Sequence, residues 1–423
     1  MKTIIVSHNP ISTYHNMGKT MLSFFSKFKK NELCQLYIYP SVPDIDVCHS
    51  YFRITDKDIL KSYWLLRVNG KLISPDLDMH HEFSDDKEQR FYRNRKNKSP
   101  IRMLARDLIW KFSHWYNRDL RAWLDYECPD RIFVAPGTAT FLYKIALKIS
   151  KDRNIPIVTY ICDDYYFVKS EKQLLAKLHQ KLLHEHIFKL VNKSSRVLTI
   201  CDEMRDQYFQ KFNIPVTTIM TGSNFLIQED IAVHVNPVEI TYMGNLRYNR
   251  FRSLVEIGHA LDKINEKLNS NFNLKIYSKE SDSYILEHFE NVSSIRFCGF
   301  VGGMEFEKIF RSSQMLLHTE SFDEASIDEV KHSVSTKIAD SLGSGIPLFA
   351  YGPDSVASVA HLIRHQCAFV ATSSEELEKT LLSIFFDSEK RKLIVKNALS
   401  TAHEYHDANK VSDKLYEILD NLR

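Results

Sequence analysis

The sequence predicts an α/β protein built from two Rossmann-like domains, each with a parallel sheet. Strand and helix patterns alternate along nearly all of the 423 residues. Alternation of this kind favours parallel sheets with helices on their faces. The pattern lapses once, around residues 222–237, and the length suits two domains of about 200 residues each. We therefore place the first domain at residues 1–222 and the second at residues 237–410.

The first half contains six short apolar runs that are typical of buried strands. Helical patterns lie between them, because apolar residues there recur every three or four positions. The predicted strands are Thr3–Ser7, Gln35–Tyr39, Arg131–Ala135, Ile157–Ile161, Arg196–Cys201 and Thr217–Met220. The main predicted helices are Gly18–Phe28, Ile101–Tyr126, Phe141–Asp152 and Ser170–Asn192.

The second half repeats the alternation and ends with a helix. Its predicted strands are Glu239–Met243, Asn273–Ser278, Ile295–Phe297, Met315–Thr319, Leu348–Tyr351 and Ala368–Ala371. The final helical pattern, within residues 411–423, is a candidate to pack back on the first domain.

Composition excludes several classes of protein. The formal net charge is only +3, so no polyelectrolyte partner is implied. Seven scattered cysteines form no CxxC pair, which argues against a zinc site and a disulfide framework. No apolar run reaches the length of about 18 residues that a membrane span requires. The apolar run within the first ten residues is too short for a signal peptide. We expect a cytoplasmic protein that is soluble or peripheral to the membrane.

The most informative segment is SVSTKIADSLGSGIPLFAYGP, residues 333–353. Ser335 or Thr336 is a natural N-cap for a short helix, and a helix N-terminus suits a phosphate. Lys337 adds a positive charge in the first turn, and Asp340 lies on the same face three residues later. This pattern predicts a cation for a diphosphate and a carboxylate for ribose hydroxyls. Ordinary capping with a solvated Lys–Asp pair explains the residues alone nearly as well.

A second candidate site follows the strand Glu239–Met243, where Gly244 and Asn245 lead into Arg247 and Arg250. Ligands of open α/β sheets bind at the carboxyl ends of strands. Arginine there can bind phosphate through two parallel hydrogen bonds. A turn with solvated arginines is the alternative. Glu320, which follows another predicted strand, is directed to the same edge.

The first half offers its own strand-end residues. Gly18 precedes a helix and would allow a ligand to approach the backbone closely. The sequence Gly18-Lys19-Thr20 lacks the upstream glycine of a P-loop, so that reading is rejected. His15, Asp163 and Asp164 are candidate polar contacts, although the two aspartates could equally cap the next segment.

Residues 85–99 are polar and mostly basic, and three tryptophans stand in the helical region after them. A basic, aromatic-rich helix can lie on an anionic membrane. A solvated loop before an ordinary amphipathic helix is equally compatible with the pattern. Nucleic-acid binding by residues 87–98 fits less well, and we expect none.

Three motifs together resemble the retaining B-type-fold (GT-B) glycosyltransferases, in particular family 4 of bacterial polysaccharide biosynthesis. They are Tyr242–Leu246 with Arg250, His318–Phe322, and Ser335–Asp340 with Gly345–Pro347. The resemblance implies two Rossmann-like domains that face each other across a cleft. It also implies transfer of a hexose from a nucleotide sugar, most simply a UDP- or GDP-sugar, to a glycan or a polyprenyl-diphosphate-linked acceptor. Neither a metal nor a cofactor is expected, because protein cations would neutralise the leaving diphosphate.

The resemblance also assigns roles to residues. It implies donor binding by the second domain, with Asp340 on the ribose where the family has glutamate. The family pairs two glutamates with seven residues between them, but His332 stands at the first position, and Glu320 replaces that glutamate only if residues 321–331 are inserted. The implied catalytic residues are Glu320, Arg250 and Lys337. The implied donor-binding residues are Gly18, Gly244, Asn245, Arg247, Arg250, Ser335, Thr336, Lys337 and Asp340, and the implied acceptor-binding residues are His15, Asp163 and Asp164. A sugar-nucleotide 2-epimerase of the same fold, or an inactive member that binds a partner, are the alternatives.

Overall fold

A computed structural model describes residues 1–13, 16–65, 70–74, 99–168, 173–223, 226, 237–280 and 282–422. The chain divides into two compact units. Met1–Thr221 and Ala408–Arg423 form the first unit, and Gly222–Asp407 forms the second. The chain therefore passes between the units twice, at residues 221–222 and 407–408. His15 and the basic residues 87–98 lie outside the described residues.

The first unit contains an eight-stranded sheet in the order β4-β3-β2-β1-β5-β6-β7-β8. All neighbouring pairs are parallel except β3 and β4, which are antiparallel at the edge. Every residue of β1, β2, β5 and β6 is buried, because helices cover both faces of a parallel sheet. The strands are β1 Thr3–Ser7, β2 Leu33–Tyr37, β3 Ser50–Arg53, β4 Lys71–Ile73, β5 Arg131–Ala135, β6 Ile157–Ile161, β7 Arg196–Thr199 and β8 Val216–Thr218.

The helices of the first unit connect these strands, and the last helix of the chain joins them. They are α1 Asn16–Phe24, α2 Asp56–Leu65, α3 Pro100–Phe112, α4 Arg118–Glu127, α5 Thr140–Arg153, α6 Leu174–Lys193, α7 Asp202–Phe212 and, after the second unit, α16 Ala408–Asp420. A 3-10 turn covers Lys30–Glu32. Helix α16 packs against α1.

The second unit contains six parallel strands in the order β11-β10-β9-β12-β13-β14. Counted from β9, this is the 3-2-1-4-5-6 order of the Rossmann fold. The strands are β9 Glu239–Met243, β10 Asn273–Tyr277, β11 Ile295–Gly299, β12 Leu316–Thr319, β13 Leu348–Tyr351 and β14 Phe369–Ala371. The helices are α8 Arg250–Leu268, α9 Ser283–Glu290, α10 Gly303–Ser312, α11 Glu324–Val330, α12 Thr336–Gly343, α13 Ala357–Arg364, α14 Ser374–Phe386 and α15 Ser388–Tyr405.

The predicted fold class is confirmed, and the structure corrects several of the predicted elements. The single predicted helix over Ile101–Tyr126 is two helices, because Ser113 is extended and Asn117 starts a new helix by accepting a hydrogen bond from Leu120 N. The acidic stretch after Glu320, where the sequence predicted no helix, contains α11. Asp323 caps that helix and Val330 is buried against Val356 and Val359.

Candidate functional site

The second sheet has its topological switch point between β9 and β12, whose next neighbours lie on opposite sides. Loops that follow such a pair of strands diverge and leave room for a ligand at the carboxyl edge. Gly244 follows β9 and Glu320 follows β12. The two predicted strand-end motifs of the second half therefore lie at one place.

Arg250 and Glu320 form a two-bond ion pair at this edge. Arg250 Nε donates to Glu320 Oε2 at 2.8 Å, and Nη2 donates to Oε1 at 2.9 Å. Only 13% of the Arg250 side chain and 3% of the Glu320 side chain are exposed. Burial raises the pKa of the Glu320 carboxyl, and the Arg250 guanidinium opposes that shift by stabilising the carboxylate. The sequence predicted both residues at this edge but not their contact.

The loop before Arg250 is shaped by close packing and two left-handed residues. The Tyr242 side chain lies over Gly244, where a Cβ would stand 2.3 Å from the tyrosine hydroxyl oxygen. That hydroxyl donates to Asn245 O at 2.6 Å. Tyr248 and Asn249 both have φ of 55°, which turns the chain tightly into α8. Gly244 is therefore required for the packing of a neighbouring side chain.

The two remaining predicted donor residues in this loop have different partners. Asn245 Oδ1 accepts from Arg250 Nη1 at 2.8 Å and from Arg247 N at 3.1 Å, so it orients the guanidinium. The Arg247 side chain is 63% exposed, and its Nε lies 3.5 Å from Glu280 Oε1. Arg250 is thus held rigidly at the edge of the sheet, whereas Arg247 points to a surface carboxylate.

His318, on β12, lies close enough to two cations for their charges to affect its titration. Burial, followed by the positive charges of Arg250 and Lys337, lowers the pKa of His318 to about 3. The imidazole is therefore neutral at pH 7. Its Nε2 lies 3.0 Å from Ser358 Oγ and 3.4 Å from Glu320 Oε1. Ser358 stands on α13, 40 residues away in the chain, and no sequence pattern linked it to this site.

Helix α12 begins as predicted. Ser335 is the N-cap, and its side chain accepts from Lys337 N at 3.4 Å. Thr336 is the first helical residue, and Lys337 is exposed in the first turn. The buried side of the helix includes Ile338. The start of α12 therefore presents backbone N–H groups beside a lysine ammonium.

Asp340 lies one turn further along α12, and its side chain is oriented by a second contact. Ser223 Oγ donates to Asp340 Oδ1 at 2.6 Å. Ser223 N in turn donates to His406 O at 2.7 Å. Ser223 and His406 stand next to the two places where the chain passes between units. Sequence spacing gave no indication that Asp340 contacts this segment.

In the first unit, Gly18 of α1 allows the loop around Ser12 to pack closely against the helix. A Cβ at Gly18 would stand 2.4 Å from Ser12 Oγ and 2.7 Å from Ser12 N. The close approach expected at Gly18 is thus made by the Ser12 backbone. At the end of β6, Asp163 Oδ2 accepts from the Tyr165 hydroxyl at 3.1 Å. Asp164 Oδ1 accepts from two backbone N–H groups, those of residues 166 and 167, which is the contact of a turn-forming aspartate.

A polar cluster that the sequence did not indicate lies at the end of β1. Arg106 Nε donates to Asp56 Oδ1 at 2.9 Å, and Arg106 Nη2 lies 3.2 Å from His8 Nε2. Trp110 Nε1 also donates to Asp56 Oδ1, at 2.8 Å. Three different elements supply these residues. From the sequence alone, only Arg106 and Trp110 could be related, because they lie four residues apart on one helix.

The described residues contain neither a metal-binding cluster nor a membrane-spanning helix. No group of three or more His, Cys, Asp and Glu side chains there is arranged to hold a metal ion. No helix in that part of the chain combines the length and the apolar character of a membrane span.

Solved structures resemble the chain over most or all of its length. Crystal structures of HepE from Anabaena with UDP and with UDP-glucose give TM-scores of 0.63 and 0.61 at 10% and 12% identity, and cover 100% of both chains. The trehalose 6-phosphate synthase of Burkholderia multivorans gives 0.60 at 10% identity over 100% of this chain and 96% of that one. The chain has the GT-B fold.

A further GT-B structure, the pneumococcal O-GlcNAc transferase GtfA with UDP and GlcNAc, gives a TM-score of 0.51 at 11% identity. It covers 72% of this chain and 59% of that one. No family model and no curated protein sequence matches the chain. At these identities the likeness establishes the GT-B fold of the chain, and its chemistry has to be argued from its own residues.

Proposed function

We propose that this chain is a glycosyltransferase that moves a hexose from a UDP- or GDP-sugar to a lipid-linked or glycan acceptor, with retention, in bacterial surface polysaccharide synthesis. The observation that carries the proposal is the convergence of Arg250 and Lys337 on the carboxyl edge of a Rossmann sheet. HepE, which has the same fold, was crystallised with UDP and with UDP-glucose. A nucleotide diphosphate is the ligand that such an edge suits best.

The donor diphosphate would lie against the start of α12. Lys337 supplies a full charge there, and the backbone N–H groups beside Ser335 and Thr336 supply the positive end of the helix dipole. Arg250 completes the site from the start of α8, which follows β9. Its guanidinium has five N–H groups, and among the described residues three of them have an acceptor, so two can still donate to phosphate. Asp340 would accept hydrogen bonds from the ribose hydroxyls.

These groups favour bond breaking by stabilising the charge that develops on the leaving diphosphate. The bond from the sugar C1 to the diphosphate oxygen breaks, and an acceptor hydroxyl forms the new bond on the same face of the sugar. Its proton passes to the departing phosphate oxygen. Protein cations neutralise the leaving group in this scheme, so we propose that no metal participates. Glu320 fixes the position of Arg250.

Nucleotide binding is the first experiment. Thermal unfolding of the full chain would be followed with UDP, GDP or uridine, and a ligand at about 100 times its Kd should stabilise by ~2.7 kcal/mol. Lys337→Ala should lose the stabilisation by the diphosphates, whereas Lys379→Ala removes a charge from an exposed residue of α14 and should retain it. A Lys337→Ala protein that is stabilised as strongly as the unchanged chain would contradict the assignment.

Turnover separates the alternatives. UDP-glucose and related donors would be incubated with a polyprenyl-diphosphate-linked sugar, and products identified by mass and by anomeric configuration. Conversion of the nucleotide sugar to its epimer without acceptor would indicate the epimerase instead. Nucleotide binding without product from any donor and acceptor would favour an inactive binding protein, and an inverted product would refute retention.

A further inference from the structure

Ser223 lies close to the point where the chain enters the second unit, and its side chain contacts the proposed donor site. Its hydroxyl donates to Asp340 Oδ1 at 2.6 Å, although 117 positions separate the two residues in the sequence. Ser223 is only 3% exposed, so water has little access to this hydrogen bond. A hydrogen bond to a carboxylate is about twice as strong as one between neutral groups. The contact therefore restricts the orientation of the Asp340 side chain.

The backbone of Ser223 is held by the residues that end the second unit. Ser223 N donates to His406 O at 2.7 Å, and Ser223 pairs with Asp407 in a parallel β-bridge. His406 follows directly after α15, and its N–H donates to Ala402 O in the last turn of that helix. The segment that carries Ser223 is therefore attached to the end of a regular helix.

Helix packing connects this attachment to Asp340. Helix α15 packs against α12, the helix that carries Asp340. The His406 ring is buried, and its Nε2 lies 3.2 Å from Nε2 of His361, a buried residue of α13. One imidazole of this pair donates to the other, which fixes the His406 side chain as well as its backbone. Ser223 is thus fixed relative to Asp340 by contacts that do not involve its own hydroxyl.

The bond from Ser223 is compatible with ligand binding by Asp340. A carboxylate has about four lone-pair positions that accept hydrogen bonds, and the Ser223 hydroxyl takes one of them. The proposed donor site has the diphosphate at the start of α12 and the ribose at Asp340, one turn further along. A side chain that becomes ordered only when a ligand binds loses conformational entropy, which weakens binding. Ser223 orders the Asp340 carboxylate before a nucleotide arrives.

We propose that Ser223 is a positioning residue of the donor site, which orients the Asp340 carboxylate toward the ribose of the nucleotide. The Ser223 hydroxyl acts through Asp340 and does not itself touch the nucleotide. The inference rests on the proposed function, because it needs a nucleotide whose ribose meets Asp340. It adds a specificity to that function: a donor built on ribose is preferred over its 2′-deoxy counterpart, and this preference depends on Ser223.

A double-mutant cycle with the full chain tests this role. Isothermal titration calorimetry would measure the affinity for UDP and for 2′-deoxy-UDP in the unchanged chain, S223A, D340A and S223A/D340A. S223A should weaken the binding of UDP about tenfold, which is the loss expected for one hydrogen bond to a charged group. It should also reduce the preference for UDP over the 2′-deoxy analogue. In the D340A background, S223A should change neither affinity, because the group on which Ser223 acts is absent.

Ser294→Ala is the matched control. Ser294 is 4% exposed, and its hydroxyl donates to Gly258 O at 2.8 Å. It precedes β11 and therefore lies at the amino edge of the second sheet, opposite the carboxyl edge of the proposed donor site. Like S223A, S294A removes one buried hydroxyl, so urea denaturation should show a comparable loss of stability in the two variants. S294A should nevertheless bind UDP as the unchanged chain does.

Three results would overturn the inference. Unchanged UDP affinity in S223A would show that the contact with Asp340 is structural only. An equal loss of affinity from S223A with and without Asp340 would show that Ser223 acts by another route. An unchanged preference for UDP over the 2′-deoxy analogue would separate Ser223 from the ribose. In each of these cases the unchanged chain still binds UDP, so the proposed function stands. A chain that binds neither nucleotide refutes the proposed function, and the positioning role with it.

Discussion

Replacing Arg250 by methionine removes the positive partner of a buried carboxylate. The side chain keeps much of the original volume, so the main change is electrostatic. Loss of one partner from a buried pair costs about 3–5 kcal/mol, because the other charge stays buried without compensation. We expect ~3 kcal/mol, at the lower end of that range, because Glu320 can take up a proton when Arg250 is absent.

The distribution of tryptophan makes this effect measurable in one unit. All four tryptophans of the chain precede residue 124, so tryptophan fluorescence reports on the first unit. Circular dichroism reports on both units. Unfolding of the second unit should therefore change the circular dichroism without changing the tryptophan fluorescence. Arg250→Met should lower the urea midpoint of that transition. It should leave the tryptophan transition unchanged. Arg252→Met, which alters the exposed arginine two residues later, is the matched control.

The pH dependence tests the physical cause. Burial already raises the pKa of Glu320, and removing Arg250 takes away the group that opposes this shift. A carboxyl whose pKa is higher in the folded state than in the unfolded state binds its proton more tightly when folded. It therefore favours folding at low pH, and that contribution is lost as the pH rises through the folded pKa. The destabilisation by Arg250→Met should be smaller at pH 5 than at pH 7.5.

Two results would refute this reasoning. One is a destabilisation by Arg250→Met that equals that of Arg252→Met. The other is a destabilisation that grows as the pH falls. The double variant R250M/E320L, which removes both charges, should recover much of the lost stability, because replacing both partners of a buried pair by apolar residues is often neutral.

Three further changes have expected outcomes. Ser335→Ala should lower the free energy of unfolding of the second unit by ~0.5–1 kcal/mol through loss of a helix cap, measured by urea denaturation; an unchanged midpoint would contradict it. Gly18→Ala should cost ~1–3 kcal/mol in the first unit, because the added Cβ meets Ser12, and tryptophan fluorescence should report it. Asp340→Ala should abolish any preference for UDP over its 2′-deoxy analogue in thermal unfolding; a preference that persists would remove Asp340 from the ribose.

The sequence predicted those parts of the fold that local pattern determines. Strands β1, β5, β6, β9 and β13 have the predicted bounds, because each is a short apolar run between turn signals. Strands β3 and β4 were missed. Ser50–Arg53 has only four residues, two of them polar, and Lys71–Ile73 has three with two exposed. Both lie at one side of the sheet, where pairing with a neighbour decides whether the chain is extended.

In the candidate site too, the sequence predicted the features that local pattern determines and missed the contacts between distant residues. The Ser335 cap and the exposure of Lys337 follow from the local helix pattern, and both are present in the structure. The pairing of Arg250 with Glu320 spans 70 residues, and the contact between Asp340 and Ser223 spans 117. Such contacts depend on how strands are ordered in the sheet. Strand-end position could therefore bring these residues to one edge but could not identify their partners.

The pairings change how the proposed donor site would hold a diphosphate. Arg250 is neutralised by Glu320, and His318 is held neutral by burial and neighbouring cations. Lys337 and Asp340 carry opposite charges one turn apart. The formal charge of these five residues is therefore zero, although the sequence predicted two cations for the diphosphate. Affinity would then depend on directed hydrogen bonds from the start of α12, Lys337 and the guanidinium, and only weakly on long-range attraction. This arrangement makes the orientation of Arg250 by Glu320 and Asn245 more important to binding than its net charge.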